Sequence, residues 1–112
     1  MTEYLNKKTA VSAIILEYRK ALGARKKMTF RSFARELSEA LKKYGKSISY
    51  QSIKNWEDMR YLPDEFMLLE IRRGSKDWRF DFAGDLLAAL RPDEYAPVSD
   101  IGRRILFTGR QK

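Results

Sequence analysis

The sequence predicts an all-α protein, a compact bundle of five to six helices. Three observations predict it. Apolar residues recur at three- and four-residue intervals in several separate segments. The six glycines and three prolines fall mostly between those segments, where they stop helices or join them. No β-hairpin signature, internal repeat or low-complexity tract interrupts the pattern. At 112 residues the chain suffices for one domain with a small core.

In chain order, Thr9 is the expected cap of a first helix reaching about Leu22. Val11, Ile14, Tyr18 and Leu22 form its inward stripe, with Ile15 beside it. Gly23 stops it, and Ala24-Arg25-Lys26-Lys27 is a basic connector. Thr29 caps a second helix with Phe33, Ala34, Leu37 and Leu41 inward, ended by Gly45. Ser49 caps a short third helix through Trp56 to Met59. Ile53 and Trp56 are its buried positions, and Ile48 just ahead is a hydrophobic staple.

Pro63-Asp64-Glu65 opens a fourth helix, with Phe66, Met67 and Leu69 expected inside and Gly74 closing it. Ser75 is the expected cap of a fifth helix to about Leu90. Its stripe is Trp78, Phe82, Leu86 and Leu90, widened by Ala83, Leu87 and Ala89, while Asp77, Asp81 and Asp85 read as a solvated acidic face. Pro92 and Pro97 bracket an irregular stretch, and Ser99 is a candidate cap for a short last helix with Ile101, Ile105 and Leu106. The expected organisation is a flexible arm at 1–8, a helical domain at 9–91 and a C-terminal extension at 92–112 holding that short helix. Residues 109–112 are expected to fray.

The chain has neither cysteine nor histidine. That removes disulfides, the usual zinc ligands, the commonest general base and the commonest activated nucleophile. No metal, cofactor or small-molecule substrate is indicated, and an enzyme is not expected. No apolar stretch is long enough for a membrane span, and no signal-peptide pattern opens the chain, so the cytoplasm is the expected compartment. The net charge of +8 is unevenly placed. Residues 1–62 hold 14 basic and 6 acidic side chains, whereas residues 63–112 hold 9 of each. A polyanion is the natural partner of such a first half.

With Ile53 and Trp56 turned inward, Tyr50, Gln51, Lys54 and Asn55 lie on the outer side of the third helix. Amide side chains can bond adenine, Lys can bond guanine, and Tyr can reach a phosphate or a thymine methyl. These four are the candidate base-reading residues of a double-stranded DNA partner. Arg31, Arg35, Lys42, Lys43, Lys46, Ser49, Ser52 and Arg60 are the candidate backbone contacts.

The run Ser49-Tyr50-Gln51-Ser52-Ile53-Lys54-Asn55-Trp56-Glu57-Asp58, continuing through Arg60 to Pro63, resembles the Cro and lambda-repressor-like (XRE) helix-turn-helix family. Thr29 to Leu37 resembles that family's preceding helix. The resemblance implies the lambda repressor-like helix-turn-helix fold, with the helix at 49–58 entering the major groove and Glu57 as a structural acid. Three features depart from the family. Phe30 stands where many members have Gln, Met59 stands where Gly is usual, and the Leu37–Ser49 connection is longer than its tight turn.

The function these readings imply is sequence-specific DNA binding by a transcriptional regulator, a repressor, acting as a homodimer on a pseudo-palindrome. Residues from Trp78 onward are the expected dimer surface. The alternative is a protein-interaction module, an antitoxin or adaptor, on the same fold.

Overall fold

The computed structural model describes the backbone of residues 2–108 and the side chains of residues 7–107. The helices are α1 (Thr2–Leu22), α2 (Phe30–Leu41), α3 (Tyr50–Glu57), α4 (Glu65–Arg73), α5 (Trp78–Leu90) and α6 (Asp100–Thr108). No strand occurs among the described residues, so the chain is an all-α bundle. No helix among them is long and apolar enough to cross a membrane. The fraying expected at 109–112 concerns residues outside those described.

α1 buries Val11, Ile14, Ile15 and Tyr18, as its periodicity requires. It begins at Thr2, not at Thr9, so the segment expected as an arm is helical. Residues 2–8 contain neither Gly nor Pro, and nothing in them stops a helix that is already nucleated.

Thr29 caps α2 by accepting the N–H of Ser32 on its side chain, and Phe33, Ala34, Leu37, Ala40 and Leu41 are buried. A single 3-10 turn over Lys42–Tyr44 follows. Gly45 then takes a left-handed conformation, φ 71°, which an L side chain adopts only with strain. There the chain doubles back along α2. The N–H of Lys46 bonds the Leu41 carbonyl, and Ser38 Oγ bonds both the N–H and the C=O of Ile48.

Ser49 caps α3 through the N–H of Ser52, with Ile48 and Ile53 both buried on the staple side.

α4 turns a different face inward from the one expected. Leu68 and Ile71 are buried, whereas Phe66 is 75% exposed. Four consecutive apolar residues, 66 to 69, fit any helical phase. Contacts with α5 and α2 select the phase that buries Leu68 and Ile71.

The cap of α5 is Asp77, whose carboxylate accepts the N–H of Arg79. Ser75 instead donates to the Ile71 carbonyl and finishes α4. α5 is the central helix of the bundle, packed by α1, α4 and α6, and every residue from Phe82 to Leu90 is buried. Within the expected dimer surface from Trp78 onward, residues 82–90 therefore lie in the interior of one chain. Trp78 itself joins Tyr18, Phe33 and Phe82 in an aromatic cluster with ring centroids 5.1–6.3 Å apart.

Asp85 is likewise no part of a solvated face. It is fully buried, and its carboxylate accepts from the Tyr18 hydroxyl at 2.7 Å, the Ser99 hydroxyl, and the N–H groups of Val98 and Ser99. Burial, ahead of the nearby Asp85 charge, pushes the Tyr18 hydroxyl above its ordinary range, so it remains a proton donor. The Ser99 hydroxyl also accepts the N–H of Gly102, the cap contact expected of it. Gly102 lies so close to the Asp85 carboxylate that a Cβ there would overlap it. The segment from Val98 through α6 is thus bonded into the domain and closes it.

Candidate nucleic-acid interface

α3 is held from two sides, which leaves one face open. Inward, Ile53 and Trp56 sit in the core. At its C-terminal end the carbonyls of Lys54, Asn55 and Trp56 are taken up by the N–H groups of Asp58, Arg60 and Met59, and α1 takes up two more. Ser12 Oγ donates to the Glu57 carbonyl at 2.6 Å, and Lys8 Nζ donates to the Arg60 carbonyl at 3.2 Å. Between them Met59 is left-handed, φ 64°, and its sulfur accepts from Thr9 Oγ1. The turn after α3 is therefore left-handed although Met replaces glycine there.

The family resemblance implies that Glu57 ties the end of α3 to the helix before it, but its partner lies on α1. Arg19 Nη1 meets Glu57 Oε1 at 2.7 Å, with side-chain exposures of 8% and 16%. The same guanidinium donates to the Met28 carbonyl and lies 3.8 Å over the Phe30 ring. Arg19 thus pins the end of α3, the connector before α2 and the first residue of α2. Phe30 is explained by this contact, since it forms the platform for a buried guanidinium. Sequence reasoning passed over Arg19; its position one residue after Tyr18, at the edge of the buried stripe, was the available signal.

The outer face carries the four base-reading candidates together. Gln51 and Lys54 are exposed, Tyr50 is 37% exposed and Asn55 is half-buried. They are ordered by local bonds. Gln51 Nε2 donates to Asn55 Oδ1 at 3.3 Å, and Lys54 pairs with Asp58 at 3.2 Å. The Arg31 guanidinium lies 4.1 Å over the Tyr50 ring, so α2 adds a planar cation to the start of the reading face.

The backbone candidates do not form one group. Arg31 and Arg35 are exposed along the first turns of α2 and carry no ion pair among the described residues. Arg25, Lys26 and Lys27 in the connector are exposed in the same way. Lys42 and Lys43 follow the other end of α2, about 16 Å along the helix from Arg31. Lys42 pairs with Glu39, Lys43 lies over Tyr44, and Lys46 is drawn to Glu70 of α4. Ser49 and Ser52 bond each other at the cap, and the Arg60 side chain is exposed. Arg31 thus meets the outer face of α3, through Tyr50, whereas Lys42, Lys43 and Lys46 are engaged elsewhere.

Among the described residues no three carboxylates come together to hold a metal ion. No protein-family model, no curated protein and no solved structure matches the chain.

Proposed function

We propose that the protein binds double-stranded DNA with sequence preference, inserting α3 into the major groove in the manner of a lambda-repressor-like regulator. One observation carries the reading. α3 is fixed on its inner face and at both ends, and it offers Tyr50, Gln51, Lys54 and Asn55 to solvent, with Arg31 of α2 stacked on Tyr50. Fixing a polar helix face in the open orders it before contact, and that lowers the entropic cost of ordering it on binding. Amides and a lysine supply discrimination between base edges, while Arg25, Lys26, Lys27 and Arg35 supply attraction to phosphates. A single module of this size buries little surface on DNA, so a homodimer on a pseudo-palindrome is the form proposed, acting as a repressor by occlusion.

Selection from random duplexes, followed by anisotropy titrations, tests this. Gln51→Ala should relax preference at one base position by about 1–3 kcal/mol, whereas Arg35→Ala should weaken all duplexes alike and flatten the salt dependence. Retained duplexes with no shared motif, or a Gln51→Ala loss equal on every sequence, would remove the reading.

A further inference from the structure

Against α1 lies a cleft of about 720 Å³. Ala10 and Ala13 of α1, Ala88 and Ala89 at the end of α5, the 92–97 loop and Phe107 of α6 line it. The volume falls in the range of small-molecule sites, and the walls are mainly apolar. Three charged residues line it, Lys7 of α1 and Asp93 and Glu94 just after α5, and the last carbonyls of α5 end there. The Ala88 carbonyl would bond the N–H of residue 92 in a continuing helix, but residue 92 is proline. Neither the Ala88 nor the Ala89 carbonyl accepts a hydrogen bond from the described residues. Asp93 and Glu94 add two carboxylates to the lining against the one cation Lys7, and Arg91 is drawn away to Glu65 at 3.2 Å. Helix-end carbonyls and a carboxylate together favour a cation or N–H donor.

We infer that this cleft binds a compact apolar molecule bearing an amine, with the amine at the Ala88–Asp93 end, and that its occupancy alters the hold on α3. The second part follows from α1. Ala10 and Ala13 line the cleft, while Lys8, Thr9 and Ser12 of the same turns bond Arg60, Met59 and Glu57 at the end of α3. A ligand that shifts these turns moves the groups that fix the reading helix. This consequence for DNA rests on the function proposed above; the cleft itself does not.

The probe is 1-naphthylmethylamine, with 1-naphthylacetate as its anionic counterpart, followed by alanine-methyl and backbone-amide NMR on the whole chain. The amine should shift the methyls of Ala10, Ala13, Ala88 and Ala89, and bind about tenfold more tightly than the acid. Ala13→Phe should abolish these shifts and Ala13→Ser retain them. Ala96→Phe, on the exposed loop, serves if the first variant fails to fold. Equal binding of amine and acid, or no methyl shift at millimolar amine, overturns the site. The amides of Glu57, Met59 and Arg60 should move at the same amine concentrations, and DNA affinity should change about fivefold. Methyl shifts without those amide shifts overturn the coupling. Methyl and amide shifts in a protein with no DNA affinity leave the cleft standing and remove only the reading of α3.

Discussion

Arg19 and Asp85 are the two charged side chains buried among the described residues, and they are stabilised in opposite ways. Arg19 has a counter-ion, Glu57, and lies between the bundle and the proposed DNA-reading helix. Asp85 has no cation; two hydroxyls and two backbone N–H groups surround it, and it lies where the Val98–Ser99 segment joins α5. The first arrangement tolerates partial hydration, because its carboxylate keeps some exposure. The second does not, because every donor aimed at Asp85 has been taken from water for that purpose. A buried charge with a partner of opposite sign divides its cost between two groups, whereas one held by dipoles depends on several donors at once.

That contrast orders the expected effects of substitution. Asp85→Ala should be the most damaging, about 3–4 kcal/mol in urea unfolding, since it strands buried donors on Tyr18, Val98 and Ser99. A loss below about 1 kcal/mol would mean that water replaces the carboxylate and that the site is not closed. Arg19→Met should cost less, about 2 kcal/mol, because the Glu57 carboxylate is already partly exposed and can be rehydrated. It should also loosen the end of α3, seen as faster amide exchange from Trp56 to Arg60, which Asp85→Ala at matched stability should not reproduce.

Asp77 is the exposed limit of the series. Its side chain accepts from Arg79 and caps α5, and replacing it with Ala should cost about 1 kcal/mol at neutral pH. The hydrogen bond from Arg79 holds the Asp77 carboxyl below the usual carboxylate range. Folded Asp77 therefore releases its proton more readily than unfolded Asp77, and its contribution is complete above the unfolded value. The gap between wild type and Asp77→Ala should hold from neutral pH down to about 4 and shrink as the pH falls further. A gap that widened on acidification would reverse the assigned sign.

Much of α3 was legible in the sequence because its determinants are local. Ser49 caps within three residues, Ile48 and Ile53 staple within five, and Ile53 with Trp56 gives the phase. The same holds for Thr29 and the face of α2. What failed to show depends on contacts distant in sequence. Asp77, Asp81 and Asp85 repeat every four residues and look like one wet stripe. Only the return of residues 98–102 against α5 makes the last of them an interior group. Phe66 was misplaced because an unbroken apolar run carries no phase of its own, and Ser75 and Asp77 compete for one cap within three residues. In the candidate site, the face of α3 was readable. The separation of its cations was not, since Lys46 goes to Glu70, which is 24 residues away.

Asp85 joins the hydroxyls of Tyr18 and Ser99, groups 81 residues apart in the chain, in a three-way junction. During synthesis, α1 emerges long before its partner in that junction exists. The N-terminal helix must wait, with Tyr18 unmatched, until the Val98–Ser99 stretch has left the ribosome. Closure of so long a loop is a late and slow event compared with the local capping of α2 and α3. The nascent chain should therefore acquire α3 in outline first and its lasting stability last, which places the interval of greatest exposure to proteases and to aggregation before the Val98–Ser99 stretch has emerged.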